Sequence, residues 1–129
     1  NIWIGMVETM NKRRKLTKAE REAVYNMLNG HCAYCGAKIT MKQMQVDHVV
    51  PINGWRESGP DTIGNMLPAC RSCNHYKSRS PLESFRKSLE RMPNVLMRDS
   101  VTYQIAARYG LVKPEPQQVV FYFERMKRK

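Results

Sequence analysis

The segments His31-Cys-Ala-Tyr-Cys-Gly36 and Cys70-Arg-Ser-Cys73 each contain a C-x-x-C motif, and together these motifs decide the expected fold. Two residues between the cysteines allow a tight turn to direct both sulfurs at one point. Two such turns supply four ligands at the corners of a tetrahedron, which suits Zn²⁺. Gly36 fits this geometry, because such turns often need a positive φ. The spacing predicts a structural zinc site formed by Cys32, Cys35, Cys70 and Cys73.

Two disulfides or a redox-active cysteine pair are alternative uses of the same residues. No stretch has the charged head, apolar run and small-residue cleavage site of a secretory signal. We therefore expect a cytoplasmic protein, and disulfides are rare in a reducing cytoplasm. A redox pair would account for one C-x-x-C motif and leave the second unexplained.

The composition predicts a basic globular protein with a polyanionic partner. The 129 residues are enough for one domain, and 42% are hydrophobic. Twenty-two Lys and Arg against eleven Asp and Glu give a net charge of +11, which favours nucleic acid as the partner. No apolar run reaches the roughly 18–20 residues of a membrane span, and no long basic amphipathic helix is evident, so we expect no membrane partner.

The pattern before the second C-x-x-C motif predicts one helix and two extended segments. A basic segment over residues 1–16 precedes a capping box, Thr17-Lys-Ala-Glu20, which begins a helix over 17–29 that Gly30 ends. Met44–Pro51 is rich in valine and predicts a strand. A loop over 53–64 then leads to a second extended segment, Asn65–Cys70.

The pattern after that motif predicts helices. Residues 71–79 continue as a helix, and Ser80-Pro-Leu-Glu83 is a second capping box, whose helix Pro93 ends. Asp99 or Ser100 caps a further helix, which Gly110 closes and whose inner face is Val101, Ile105 and Tyr109. Residues 119–123 fit a strand or a helix equally well. The expected organisation is a core with flanking helices over 17–92 and a C-terminal helical extension over 93–129 packed on it.

Four polar residues near the cysteines form a set that can carry chemistry: Asp47, His48, Asn65 and Asn74. An Asp can hold a hard cation through oxygen, and a neighbouring neutral His can deprotonate a water. Asn74 follows Cys73 directly, so a zinc site would fix its position, and its amide oxygen can complete the shell of the cation. A Mg²⁺ held by two protein groups keeps open positions for phosphate oxygens.

Several stretches of this sequence form one joint pattern: both C-x-x-C motifs, Val46-Asp-His-Val-Val-Pro51, Asp61-Thr-Ile-Gly-Asn65 and Cys73-Asn-His-Tyr-Lys77. This pattern resembles the HNH endonuclease family, in its zinc-stabilised form with a ββα-metal core. The resemblance covers about residues 31–79. It implies an α+β fold in which a two-stranded hairpin packs on a helix, with a structural zinc and one catalytic Mg²⁺ or Mn²⁺.

The resemblance also implies a role for each matching residue. Asp47 and Asn74 would be the ligands of the catalytic metal, and His48 the general base. Asn65 would fix the loop and the orientation of His48, and Lys77 would contact phosphate. His75 is an alternative to Asn74 as ligand, although the Asn-x-x-Lys spacing and the oxygen preference of Mg²⁺ favour Asn74. The nucleic-acid contacts expected around the site are Lys77, Arg71, Arg79 and His75, for which a solvated charged face is the alternative.

The predicted function is a metal-dependent DNA endonuclease of a bacterial or phage-infected cell. A non-catalytic zinc-containing nucleic-acid-binding module would also explain the charge and the cysteines, but it would not need Asp47, His48, Asn65 and Asn74 together. A third hypothesis is a partner in a larger phage packaging or restriction assembly. RNA stays open as a substrate, although attack by its own 2′-hydroxyl needs no metal, so a metal site favours DNA.

Overall fold

The structure is a computed structural model that describes residues 15–127, so the predicted basic segment 1–16 lies almost wholly outside the described residues. The described chain is a mixture of helices and two short strands, as expected for an α+β protein. In chain order these elements are α1 (Lys18–Asn26), β1 (Gln45–His48), a 3₁₀ turn (Ile63–Asn65), β2 (Met66–Ala69), α2 (Arg71–Lys77), α3 (Leu82–Asp99), α4 (Val101–Arg108) and α5 (Tyr122–Lys127).

The chain forms two compact units. The first contains the described residues up to Leu82 together with residues 120–127, and the second contains Glu83–Val119. None of the helices within 15–127 combines the length and the apolar character that a membrane span needs.

The centre of the first unit is a two-stranded antiparallel hairpin followed directly by a helix. Gln45 of β1 pairs with Ala69 of β2, and His48 pairs with Met66 at the other end. α2 begins immediately after β2 and contacts β1. This is the ββα arrangement that the resemblance implied, and the prediction of the fold class is confirmed.

Helix α1 closes one side of the core in the first unit. The Thr17 side chain accepts from the Glu20 amide and the Glu20 side chain accepts from the Thr17 amide, so the predicted capping box is confirmed. The helix ends at Asn26, earlier than predicted, because a turn with positive φ at Asn29 and Gly30 follows it. The buried members of this core are Val24, Ile39, Met44 and Met66, and each such side chain contributes about 1.5–3 kcal/mol by its burial.

A second buried cluster connects the first C-x-x-C turn to the end of the chain. The Tyr34 ring packs edge-on against Phe121 and Phe123, with ring centroids 5.2 and 6.1 Å away. Backbone hydrogen bonds fix the same contact, from the Tyr122 amide to the Tyr34 carbonyl (3.1 Å) and from the Phe123 amide to the Ala33 carbonyl (2.8 Å). Residues 120–127, here called the C-terminal segment, are therefore part of the first unit. They form helix α5 where the sequence left strand and helix equally open.

The helices after the second C-x-x-C motif differ from the sequence prediction at Pro93 and at Ser80. Helix α3 continues through Pro93 to Asp99, so the prediction that Pro93 ends the helix is wrong. An interior proline removes one amide donor, at a cost of about 3 kcal/mol, and leaves the other hydrogen bonds of the helix available. The Ser80 hydroxyl donates to the Lys77 carbonyl (2.6 Å) and so finishes α2 in place of the predicted capping box.

The face of α4 predicted to point inward is exposed. Val101, Ile105 and Tyr109 have 64%, 42% and 78% of their surface accessible. The predicted boundaries of the helix are confirmed, because the Ser100 hydroxyl accepts from the Tyr103 amide at the start and Gly110 has φ +73° at the end. Helical periodicity correctly placed these three side chains on one face of α4, but it did not show whether another element covers that face.

Candidate active site and metal centre

The four cysteines form one cluster in the first unit. The Sγ atoms of Cys32, Cys35, Cys70 and Cys73 all lie within 4.8 Å of one another, and none is in a disulfide. Two sulfurs of a tetrahedral zinc site with bonds of about 2.3 Å lie about 3.8 Å apart, and Cys35 Sγ is 3.9 Å from Cys70 Sγ. The cluster therefore has the dimensions of a metal site. The hydrogen bond between Cys32 and Cys73 lowers the pKa of the Cys32 thiol and raises the pKa of the Cys73 thiol, so the two sulfurs share a proton when no metal is bound.

The backbone around the first two cysteines explains why the cluster forms. The Cys32 amide donates to the Ala37 carbonyl (2.8 Å) and the Gly36 amide donates to the Cys32 carbonyl (3.0 Å). Gly36 has φ +80°, as the motif predicted. The Ala33 amide donates to the Pro68 carbonyl (2.8 Å), which ties this turn to β2 and so to the second cysteine pair.

A small cavity at the end of the hairpin brings the predicted catalytic residues together. Its volume is about 120 Å³, and it is lined by Asp47, His48, Pro51, Asn74, Ser78 and Arg79. β1 supplies the first two of these residues at its last two positions, and α2 supplies Asn74. The ββα unit therefore places a carboxylate, an imidazole, an amide and a guanidinium around one small space.

The Asp47 carboxylate is buried, with 5% of the residue surface exposed, and it is held on one oxygen. Oδ2 accepts a hydrogen bond from the Tyr34 hydroxyl and lies 3.2 Å from Lys77 Nζ. Burial raises the pKa of Asp47, and the Lys77 ammonium and the Tyr34 hydroxyl oppose that shift. Among the residues described, none donates to Oδ1. This oxygen is therefore available to a cation.

Lys77 is in the interior, where the sequence placed it on the surface as a phosphate contact. Its surface is fully buried, and its Nζ donates to the His48 carbonyl (3.0 Å) as well as facing Asp47. A buried ammonium needs a counter-charge and hydrogen-bond acceptors, and both are supplied by the end of β1. Lys77 thus holds Asp47 and the His48 backbone from the interior, and it is not exposed to contact a phosphate.

The imidazole of His48 is oriented by an acid from the loop that follows. Its Nε2 lies 2.9 Å from Asp61 Oδ1. An ionised carboxylate only accepts hydrogen bonds, so Nε2 carries the proton and Nδ1 keeps its lone pair. Nδ1 is buried and has no hydrogen-bond partner among the described residues. His48 is therefore held in the tautomer that can accept a proton.

Asn65 lies beside the cavity and ties together the loop that carries Asp61. Its Oδ1 accepts from the Val50 amide (3.0 Å), and its Nδ2 donates to the carbonyls of Val50 (2.8 Å) and Pro60 (2.9 Å). The Asn65 carbonyl accepts from the Val49 amide (2.9 Å). These bonds close the loop between the strands and match the loop-fixing role that the resemblance implied.

Of the other predicted residues, Asn74 and Arg79 line the cavity, and His75 and Arg71 do not. Asn74 lines the cavity, its side-chain amide makes no hydrogen bond within the described chain, and Arg79 lines the same cavity. His75 is exposed and packs edge-on against Tyr76, outside that lining, so the geometry favours Asn74 over His75 as a ligand. Arg71 lines a separate groove.

The structure also shows two contacts in the candidate site that sequence reasoning missed. The sequence places Asp61 in the motif that ends at Asn65, and its position four residues before Asn65 is the one signal that points to a contact with His48. Tyr34 lies between the cysteines of the first motif, and nothing in the sequence points to its contact with Asp47.

The residues present at both places have the chemistry of a cation site. The four cysteine sulfurs lie within 4.8 Å of one another, close enough to surround one ion, and the cavity offers the hard oxygen donors of Asp47 and Asn74 beside an unpaired imidazole nitrogen. The first donor set suits a soft or borderline metal, and the second suits a hard divalent cation.

Comparison with known proteins agrees with this geometry. Residues 32–80 match the family of HNH endonucleases. The CRISPR-associated endonuclease Cas9 of Corynebacterium diphtheriae is 32% identical over 85 residues, which are 64% of this chain and 8% of that protein. The protein YoqL of Bacillus subtilis, derived from the SPbeta prophage, is 27% identical over 89 residues, which are 60% of this chain and 36% of that protein.

A solved structure, that of the Type II-C Cas9 enzyme from Actinomyces naeslundii, has a TM-score of 0.49 and 22% identity, and covers 67% of this chain and 9% of that one. The chain thus spans only a small part of the Cas9 relatives that it matches. The stretch that matches the family of HNH endonucleases, residues 32–80, contains the four cysteines and all the residues predicted to act in the cavity.

Proposed function

We propose that this chain is a divalent-metal-dependent DNA endonuclease that hydrolyses phosphodiester bonds. The observation that supports this function is the cavity of about 120 Å³ that joins Asp47, His48, Asn74 and Arg79. A module that only binds nucleic acid has no use for an oriented imidazole beside two unpaired oxygen donors. The net charge of +11 favours a polyanionic substrate.

In the proposed mechanism, His48 acts as the general base. Asp61 holds the imidazole by Nε2, so Nδ1 accepts the proton of the attacking water. Asp47, through Oδ1, and Asn74, through its amide oxygen, would hold one Mg²⁺ or Mn²⁺. When bound, such a cation supplies positive charge next to the scissile phosphate and the leaving oxygen. Arg79 adds a guanidinium that can contact phosphate oxygens from the rim.

The cysteine cluster is proposed to hold Zn²⁺ in a structural role. Four thiolates complete a tetrahedral shell and leave no position for a substrate. Cys70 and Cys73 begin α2, which carries Asn74. The zinc site would therefore fix the helix that supplies one ligand of the catalytic metal.

The test is cleavage of supercoiled plasmid by the wild type and by His48→Ala, with no added divalent metal, with Mg²⁺ and with Mn²⁺. We expect nicking or linearisation by the wild type only with added metal, and a loss of at least 100-fold in His48→Ala. His31→Gln is the matched control, because His31 lies outside the cavity. An RNA of the same sequence, assayed in parallel, tests whether the protein cleaves DNA, RNA or both.

Unchanged cleavage by His48→Ala would remove His48 as the base. Binding of DNA by the folded wild type without any cleavage would replace the proposal with a binding module or with a partner in a larger phage or restriction assembly. Membership in such an assembly stays a prediction.

A further inference from the structure

A second concave surface in the first unit is larger than the cavity and has a different chemistry. It is a groove of about 620 Å³, and the residues that line it include three cations and two amides: Lys38, Lys42, Arg71, Gln43 and Gln45. None of the described residues that line it is acidic. We call this surface the basic groove.

The three cations are available to a ligand. Lys38, Lys42 and Arg71 are all exposed, and none of them forms an ion pair with a residue between 15 and 127. Lysine side chains interact with phosphate as point charges with little directional preference. Cys70, a proposed zinc ligand, also lines the groove, but no described carboxylate does. Three such cations around one groove form a site for an extended anion.

The basic groove and the cavity lie along the same two elements. Arg71 and Asn74 are three residues apart on α2, so they share one face of the helix, and Arg71 lines the groove while Asn74 lines the cavity. Gln45 and Asp47 are two residues apart on β1, so they share one face of the strand. Gln45 lines the groove, and Asp47 lines the cavity.

The separation fits a nucleic-acid strand. Two residues of a strand span about 7 Å, and three residues of a helix span about 4.5 Å. Successive nucleotides of one DNA strand rise by about 3.4 Å along the axis. The basic groove therefore lies about one to two nucleotides from a phosphate placed in the cavity.

We infer that the basic groove binds the phosphate backbone of the substrate strand next to the scissile phosphate. This inference rests on the proposed function. Arg71 is already among the predicted nucleic-acid contacts, and the groove adds Lys38 and Lys42 to them. Because lysines contact the backbone without reading bases, the contact is independent of sequence. It contributes to affinity and to the registration of the strand, and it takes no part in the reaction.

The test compares the double variant K38E/K42E with the matched control K18E/K87E. All four lysines are exposed, and both variants lower the net charge by the same amount. Affinity for a duplex of about 20 bp is measured with zinc-loaded protein and no added Mg²⁺, over a series of salt concentrations. Each lost phosphate contact lowers the slope of log K against log salt by about 0.9. We expect K38E/K42E to lose about 1.8 in slope and at least tenfold in affinity near 0.1 M salt, and the control to lose much less.

Kinetics separate this inference from the proposed function. We expect K38E/K42E to raise the KM for DNA about tenfold and to leave kcat within about twofold, because the groove contacts no reacting atom. The neutral variant K38Q/K42Q should give a smaller effect in the same direction, and it replaces K38E/K42E if the charge reversal impairs folding.

Equal affinity and slope for K38E/K42E and K18E/K87E would overturn the inference even when the wild type cleaves DNA. A wild type that binds but does not cleave would overturn the proposed function, and the binding comparison would still decide the role of the groove.

Discussion

The hydroxyl of Tyr34 donates a hydrogen bond to Oδ2 of Asp47, and this bond connects the cysteine cluster to the cavity. Tyr34 lies between Cys32 and Cys35, so the turn that presents two thiolates also holds the candidate metal ligand on one of its oxygens. Burial raises the pKa of Tyr34, which keeps the phenol protonated as the donor. One side chain therefore connects the cysteine cluster to the candidate site of the catalytic metal.

Replacement of Tyr34 by Phe tests this coupling. We expect Tyr34→Phe to lower the free energy of unfolding by about 1–2 kcal/mol, because a buried hydrogen bond is lost. We also expect the Mg²⁺ concentration for half-maximal cleavage to rise about fivefold, since Asp47 is no longer held from that side. Tyr25→Phe is the control, because its hydroxyl donates to the Ile39 carbonyl (2.9 Å), away from the cavity. If both variants need the same Mg²⁺ concentration as the wild type, Tyr34 does not position Asp47.

Asp61 is expected to act as a positioning residue for His48. In Asp61→Asn the partner of Nε2 can also donate, so the orientation and the tautomer of the imidazole are no longer fixed. We expect kcat to fall about 100-fold with little change in KM, and Asp61→Glu to recover part of the loss. Glu57→Gln, an exposed acid of the same loop, is the control. A kcat for Asp61→Asn equal to that of the control would contradict this role.

The buried pair of Lys77 and Asp47 makes a prediction for stability. We expect Lys77→Met to lower the free energy of unfolding by about 3–5 kcal/mol, because Asp47 would be left buried without its counter-charge. The measurement is urea unfolding, with Lys87→Met on an exposed lysine as the control. The double variant Lys77→Met with Asp47→Asn should be less destabilised than the two single losses combined. Additive losses would show that the pair is not coupled.

The cysteine cluster is expected to be necessary for the folded state. Structural zinc contributes on the order of 10 kcal/mol to the folding of small domains, so Cys70→Ser should abolish cooperative unfolding of the first unit and lower the bound zinc. Metal analysis and thermal unfolding followed by circular dichroism measure both effects, with Ser72→Ala as the neighbouring control. A zinc-free Cys70→Ser protein with a sharp unfolding transition would argue against a structural zinc.

The features that the sequence predicted correctly are local ones. The capping box at Thr17, the positive φ of Gly36 and the clustering of the cysteine pairs each depend on a few adjacent residues, whose chemistry leaves few alternatives. The position of Asn74 follows from Cys73 in the same way. The ββα core was identified through its resemblance to a family, since four-residue strands carry too little periodicity to be located firmly.

The features that the sequence predicted wrongly depend on tertiary surroundings. Lys77 has the composition of a surface contact, and only the buried carboxylate of Asp47 explains why it lies inside. Helix α4 has the spacing of a buried stripe, yet nothing in that spacing says whether another element covers it. Pro93 weakens a helix in every context, but the hydrogen bonds on both sides decide whether the helix ends.

The packing of the C-terminal segment on Tyr34 has a consequence for the order of events during synthesis. A ribosome that has completed residues 32–80 has made every proposed ligand and the proposed base, but not yet Phe121 and Phe123. The whole of Glu83–Val119 must be translated before these rings can cover Tyr34 and, through it, support Asp47. The residues of the candidate active site are thus synthesised before the aromatic rings that support it. A nascent chain would contain all of these residues well before the packing that fixes Tyr34 and Asp47 could form.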